Sequence, residues 1–155
     1  MELYLGAALG GLIAFAFSVP AILLEVMERG KVKQLPLLVD VKTIFNRKLH
    51  KYEVFLVAVL LHVLIGMLYG LAYVVFALHG WMFITGAPYT LLSFIVFALL
   101  SFLFTGLILF PLLQMGLFGR KEGRYVWAEM LVSFLLLGLT MWLAIHLYQP
   151  VYFVA

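Results

Sequence analysis

Apolar residues follow one another along this chain in four long runs, and polar residues collect in the shorter segments between them. None of the runs contains a lysine or an arginine, and they cover residues 3–27, 54–78, 91–118 and 125–148. At about 1.5 Å per helical residue, each run is long enough to cross a hydrocarbon core of about 30 Å. The pattern therefore predicts an all-α fold, in which residues 1–155 form a single domain built as a bundle of four transmembrane helices.

The composition agrees with this prediction. Of the 155 residues, 66% are hydrophobic and 11% are charged, whereas about a quarter of the residues in a soluble domain are charged. A water-soluble domain of this length could not bury so much apolar surface, so we expect lipid to surround most of the chain. We expect a multi-pass protein of a cell membrane, specifically the cytoplasmic (inner) membrane of a prokaryote, with the lipid bilayer as its first partner.

The positive charges predict the orientation. All ten lysines and arginines lie in two windows, residues 29–51 and 120–124, which belong to the first and third connections between runs. The second connection, residues 79–90, has no charged residue. Because basic connections stay in the cytoplasm, we expect these two connections inside and both chain ends outside. Basic residues in this position indicate topology, so nucleic acid is not an expected partner.

The first connection, residues 28–53, also has a pattern of its own. Apolar residues recur in it at roughly helical spacing between basic ones, and they are Leu37, Leu38, Val41, Ile44, Phe45 and Leu49. This pattern is typical of an amphipathic helix that lies on the cytoplasmic leaflet. We therefore expect an amphipathic cytoplasmic segment between the first and second transmembrane helices.

Small residues repeat every four positions in the first two helices. The first ridge consists of Gly6, Gly10, Ala14 and Ser18. The second ridge, interrupted by His62, contains Ala58, Gly66 and Gly70. Small side chains let two helix backbones approach closely, which drives helix association in lipid. We expect the first two helices to cross near Gly10 and Gly70, although the same ridges would also suit contact with another subunit.

One ionisable side chain lies well inside a predicted span. His62 is about 12 Å from the start of its run, and its helix face also presents Tyr69 and Tyr73. Because an ionisable group in hydrocarbon is costly, such a residue is a candidate for function. These three residues form the candidate buried polar site, and a neutral histidine bonded to a neighbouring helix is the alternative. Hydroxyls on interior stripes of the last two helices are Ser101, Thr105, Ser133 and Thr140.

The sequence offers little for catalysis or cofactors. It has no cysteine, so thiolate metal sites are excluded, and we predict no catalytic residue, metal site or cofactor. Haem b would require two histidines at one depth, supplied by His79 and His146 or by His62 from each of two chains. Glu25, Glu53 and Glu129 lie near the cytoplasmic ends of the runs, where we expect them to pair with basic side chains.

Three functions fit these patterns. The first is a non-catalytic small membrane subunit or assembly protein of a larger membrane complex, because small-residue ridges and an apolar second connection favour protein partners. The second is a small oligomeric transporter or channel with His62 in the path. The third is a haem- or quinone-binding electron-transfer subunit. The sequence alone favours the first, with other membrane subunits or further copies of the chain as partners.

Overall fold

A computed structural model describes residues 3–28, 42–44, 47–81, 86 and 88–152 of the chain. Four helical segments in this part are long and apolar enough to cross a membrane, and they are Leu3–Met27, Glu53–Leu78, Leu91–Leu112 and Val126–Leu147. This confirms the predicted all-α architecture of four helices.

The elements follow one another in a simple order. The long helices are α1 (Leu3–Glu28), α2 (Lys51–Leu78), α3 (Leu91–Phe104) and α5 (Val126–Tyr152). The shorter elements are strands β1 (Thr43–Ile44) and β2 (Arg47–Lys48), a π-helical turn (Thr105–Leu109), a single turn α4 (Phe110–Leu112) and a 3-10 turn (Leu117–Gly119). α1 packs mainly against α2, and α3 packs mainly against α5. The bundle is thus two helix pairs, with the largest cluster of buried side chains between them.

The third apolar run is not one continuous α-helix to residue 118, as the sequence pattern predicts. At Phe110 the backbone N–H bonds to the carbonyl of Thr105, which widens one turn into a π-helix. Pro111 accounts for this, because it has no N–H and its ring would overlap the carbonyl four residues earlier in a regular helix. The helix then ends at Leu112.

A Schellman motif closes this helix and turns the chain back towards the bundle. Gln114 adopts a left-handed φ of 63°, its N–H bonds to Pro111 O at 2.9 Å, and the N–H of Met115 bonds to Phe110 O at 2.9 Å. This pair of bonds satisfies carbonyls at the helix end. The motif directs Met115 inwards, where it is fully buried.

The predicted amphipathic helix in the first connection is wrong where the structure describes that segment. β1 and β2 pair antiparallel, with Thr43 opposite Lys48, and the N–H of Leu49 bonds to Lys42 O at 2.9 Å. Thr43 and Ile44 are β-branched and favour extended backbone over helix. The rest of the predicted amphipathic segment, residues 29–41 and 45–46, lies outside the described residues.

The first and third connections meet at one end of the bundle. Glu122, which is buried, accepts the backbone N–H of Lys42 through Oε2 at 2.6 Å, and Lys42 Nζ donates to Glu122 O at 3.2 Å. At the other end, the Tyr73 hydroxyl donates to the Pro88 carbonyl in the second connection. The two basic connections therefore lie together, opposite the uncharged one.

The outer faces of the helices are apolar. Leu12 on α1 is 69% exposed, and Leu60 on α2 and Phe104 on α3 are each 59% exposed. Large exposed apolar surfaces are unfavourable in water and mark contact with lipid or protein. These faces are what a helix bundle presents to hydrocarbon.

Candidate functional site

The small-residue ridges lie at the contact between α1 and α2. A Cβ atom placed on Gly6 would come 2.8 Å from Gly70 O, and one placed on Gly66 would come 2.7 Å from Gly10 O. A Cβ on Gly10 or Gly70 would likewise overlap backbone atoms of the facing helix. The two backbones are therefore in direct contact at two levels, and only glycine fits there.

The other three ridge residues extend this contact. Ala14 lies against Gly66, and the buried Ser18 hydroxyl donates to Ala14 O at 3.0 Å within its own helix. Ala58 is buried beside Ala21 of α1. All seven ridge residues are thus buried inside the chain, where they join its first two helices.

A cavity of about 50 Å³ lies where the two helix pairs meet. Its wall is mostly apolar, and its polar side chains are His62 from α2, Thr105 from the π-helical turn and Ser133 from α5. Apolar lining residues include Ala14, Ala58, Phe110, Met115, Met130 and Phe134. A space of this size has room for a few water molecules, and its polar side chains make it the part of the described bundle best suited to a small hydrogen-bonding guest.

His62 is the central group of this cavity. Its Nε2 atom is buried and has no hydrogen-bond partner among the residues that the structure describes. An unpaired polar atom in a low-dielectric interior costs about 1–3 kcal/mol. This atom can bond to a small molecule that enters the cavity, and imidazole can both donate and accept a proton.

Three separate backbone features position the cavity wall. The π-helical turn before Pro111 brings Thr105 inwards, and the side chain is buried. The Schellman motif places Met115 against the cavity. Ser133 and Met130 lie on one face of α5 because residues three apart on a helix are neighbours.

Of the three residues predicted as one polar site, only His62 lines the cavity. Tyr69 and Tyr73 belong to an aromatic cluster with Phe94, Phe97 and Phe134. Tyr73 stacks on Phe94 with ring centroids 4.0 Å apart, and the Tyr69 hydroxyl donates to Phe94 O at 3.4 Å. These tyrosines therefore pair with backbone carbonyls and join the helix pairs.

The aromatic cluster borders the cavity through Phe134, which belongs to both. The cluster lies towards the second connection. Tyr89 lies there, outside the four spans, and partial burial raises the pKa of its phenol above the ordinary value.

The remaining histidines lie away from this cavity's lining. Nδ1 of His79 is 2.9 Å from Val75 O of its own helix, and His146 stacks on Trp142 with centroids 5.5 Å apart. Among the described residues, no group of three His, Cys, Asp or Glu side chains is placed to hold a metal ion. In the first turn of α2, Glu53 pairs with Arg47 at 3.1 Å, in line with the expectation that this carboxylate pairs with a basic side chain.

The sequence pattern does not identify Met115 as a cavity residue, because it predicts one helix over residues 91–118. A signal existed: Pro111 is followed by Gly116 and Gly119, and glycines shortly after a proline commonly mark the end of a helix. Comparison of the chain with protein-family models, with curated proteins and with solved structures finds no match.

Proposed function

We propose that the chain is a multi-pass membrane protein whose first and third connections face the cytoplasm, so that both chain ends are outside. Two observations support this. All ten basic residues are in these connections, and the contact between Lys42 and Glu122 brings them to the same end of the bundle. A reporter enzyme active only in the cytoplasm, fused after Ala155, is expected to be inactive. An active fusion would contradict the orientation.

Within that setting, we propose that the protein is a small transporter or channel for protons or for a small hydrogen-bonding solute, working as an oligomer, with His62 in the path. The observation behind the proposal is the buried, unpartnered Nε2 of His62 in a cavity shared with Thr105 and Ser133. The volume of about 50 Å³ suits water-sized guests and is too small for a haem or a quinone ring.

The position of the cavity suggests how passage would be controlled. The aromatic cluster lies between the cavity and the second connection, and Met115 of the third connection lines the cavity. Passage across the membrane therefore requires both groups of side chains to move, together in a channel or at different times in a transporter that works by alternating access.

The test is a flux measurement in proteoliposomes with a pH-sensitive dye inside. The unsubstituted protein is expected to dissipate an imposed proton gradient, and His62→Gln, which keeps a hydrogen-bonding side chain but cannot exchange protons, is expected to abolish this. His79→Gln is the control, because its ring lies on the exposed surface beside Val75 O. Equal flux from the His62 variant and the unsubstituted protein would refute the proposal for protons.

The second candidate is the non-catalytic subunit or assembly protein that the sequence alone favours. The ridges are used within the chain, so they no longer support it, but α1 packs mainly on α2 and leaves Leu12 and Leu23 exposed. Purification in mild detergent followed by mass spectrometry is expected to recover a partner protein if this candidate is correct. Recovery of the chain alone would contradict this candidate. An absorbance spectrum of the same sample without a Soret band would contradict the haem hypothesis.

A further inference from the structure

A second, larger concavity opens on the surface of the bundle, away from the His62 cavity. It is a groove of about 720 Å³ between α3 and α5, at the end where the first and third connections meet. Its lining consists of Phe102, Phe118, Arg120, Gly123, Arg124, Trp127 and Leu131. We call it the arginine groove.

The apolar wall of the arginine groove is held in place by the backbone of the third connection. Phe118 has a left-handed φ of 51°, which is unfavourable for an aromatic residue. Its ring packs on Gly106, where a Cβ atom would overlap it, and against Phe102 with centroids 5.2 Å apart. These contacts fix the rings that form the wall, and the wall continues along the lipid-facing side of α3.

Another part of the groove is positively charged. Arg120 and Arg124 are both exposed, and no ion pair joins either guanidinium to a carboxylate in the part of the chain that the structure describes. The neighbouring carboxylate, Glu122, is buried and accepts the N–H of Lys42 instead. Two cations thus lie beside an apolar wall, and Trp127 and Leu131 of α5 line the same groove.

These features together match one class of molecule. A phosphodiester head group bonds well to arginine, whose planar guanidinium can donate two parallel N–H bonds to it. An acyl chain would follow the wall of Phe102, Phe118 and Leu131. Tryptophan favours the interface between head groups and hydrocarbon, and basic pockets at the cytoplasmic ends of transmembrane helices bind anionic lipids.

We propose that the arginine groove binds an anionic phospholipid of the cytoplasmic leaflet, with Arg120 and Arg124 on the phosphate and the acyl chain along the Phe102–Phe118 wall. This inference rests on the proposed membrane orientation and is independent of the proposed transport through His62. It assigns the third connection a binding role in addition to its role in topology.

The test uses fluorescence quenching at Trp127 by lipids brominated on the acyl chain. Of the three tryptophans in the chain, Trp81 and Trp142 are replaced by Phe, so that the remaining signal reports on the groove. In mixed micelles, brominated phosphatidylglycerol is expected to quench at lower mole fraction than brominated phosphatidylcholine. Removing one positive charge by Arg120→Gln or Arg124→Gln should weaken the preference about fivefold, and removing both should weaken it about thirtyfold.

Lys121→Gln is the matched control, because it removes one charge from the same turn at a residue outside the groove lining. The control is expected to weaken the preference less than either arginine variant does, because Lys121 does not line the groove, and inorganic phosphate alone is expected not to displace the lipid. Equal quenching by the two lipids, equal losses in the Lys121 and arginine variants, or full displacement by phosphate would each overturn the proposal.

A second measurement covers the case in which the tryptophan replacements disturb folding. Native mass spectrometry of the protein with its own tryptophans is expected to retain phosphatidylglycerol, and the double arginine variant is expected to lose it. Every variant keeps His62, so proton flux in the same preparations distinguishes failure of the lipid site from failure of the proposed transport. Retention of lipid by the double variant would contradict the inference.

Discussion

Helices pack in two different ways in this bundle. α1 and α2 contact each other through their backbones, whereas the two helix pairs contact each other through large side chains. Along α1 and α2, glycines bring the backbones together at Gly6 with Gly70 and at Gly10 with Gly66. Between the pairs, large rings such as Tyr73 and Phe94 hold the helices apart. At these glycine pairs the backbones touch, whereas between the helix pairs a cavity remains where the ring cluster ends at Phe134, with the ridge residues Ala14 and Ala58 in its wall.

The difference shows where a membrane bundle can place a polar site. In lipid, helices associate through close packing and hydrogen bonds, because hydrocarbon surrounds them whether they associate or not. A contact made of backbones therefore contributes stability but cannot admit a guest. A contact made of large side chains leaves irregular space, and it is there that His62 and two hydroxyls meet.

A large side chain in the contact between α1 and α2 should change the stability most. Gly10→Leu would place a branched side chain against the backbone of Gly66, so α1 and α2 must separate. We expect a loss of about 3 kcal/mol or more in the free energy of unfolding, measured by circular dichroism during titration with a denaturing detergent. Ala8→Leu, on the exposed face of the same helix, should change that free energy by about 0.5 kcal/mol or less. Equal effects would mean that this contact is not close.

Replacing His62, at the boundary between the helix pairs, should change the free energy of unfolding less and in the opposite direction. His62→Leu replaces a side chain whose buried Nε2 has no partner among the described residues with an apolar one. We expect the free energy of unfolding to rise by about 1–2 kcal/mol, since an unsatisfied polar group is removed, while proton flux is lost. Such a gain in stability with loss of activity is typical of a functional site. A destabilised variant would indicate that the imidazole has a structural partner.

The weakest effect is expected for a substitution in the Schellman motif that precedes Met115. Gln114 has a φ of 63°, a conformation that glycine adopts without strain. Gln114→Gly should therefore raise the free energy of unfolding by about 0.5–1 kcal/mol in the same titration. Leu112→Gly, two residues earlier in helical backbone, should lower it by about 1 kcal/mol. If both substitutions destabilise, the Schellman motif is not what positions Met115.

Some of the candidate site could be predicted from single residues, and some could not. His62 was identified because an imidazole inside an apolar run is expensive wherever it lies. Tyr69 and Tyr73 were grouped with it by helical spacing, but spacing on one helix does not reveal which facing carbonyl each hydroxyl meets. Met115 depended on a helix end whose left-handed residue is a glutamine, which local sequence seldom marks as a turn.

The number of helices follows from the sequence alone, since a run of apolar residues long enough to cross hydrocarbon must satisfy its own backbone as a helix. The sequence also determines which residues can make a close contact, because small side chains are small in any fold. The contacts of the folded chain alone reveal that α1 and α2 use their ridges on each other, that Thr43–Ile44 pairs with Arg47–Lys48, and that His62, Thr105 and Ser133 share one cavity. Those outcomes depend on which surfaces meet, and that is set by the packing of residues far apart in the chain.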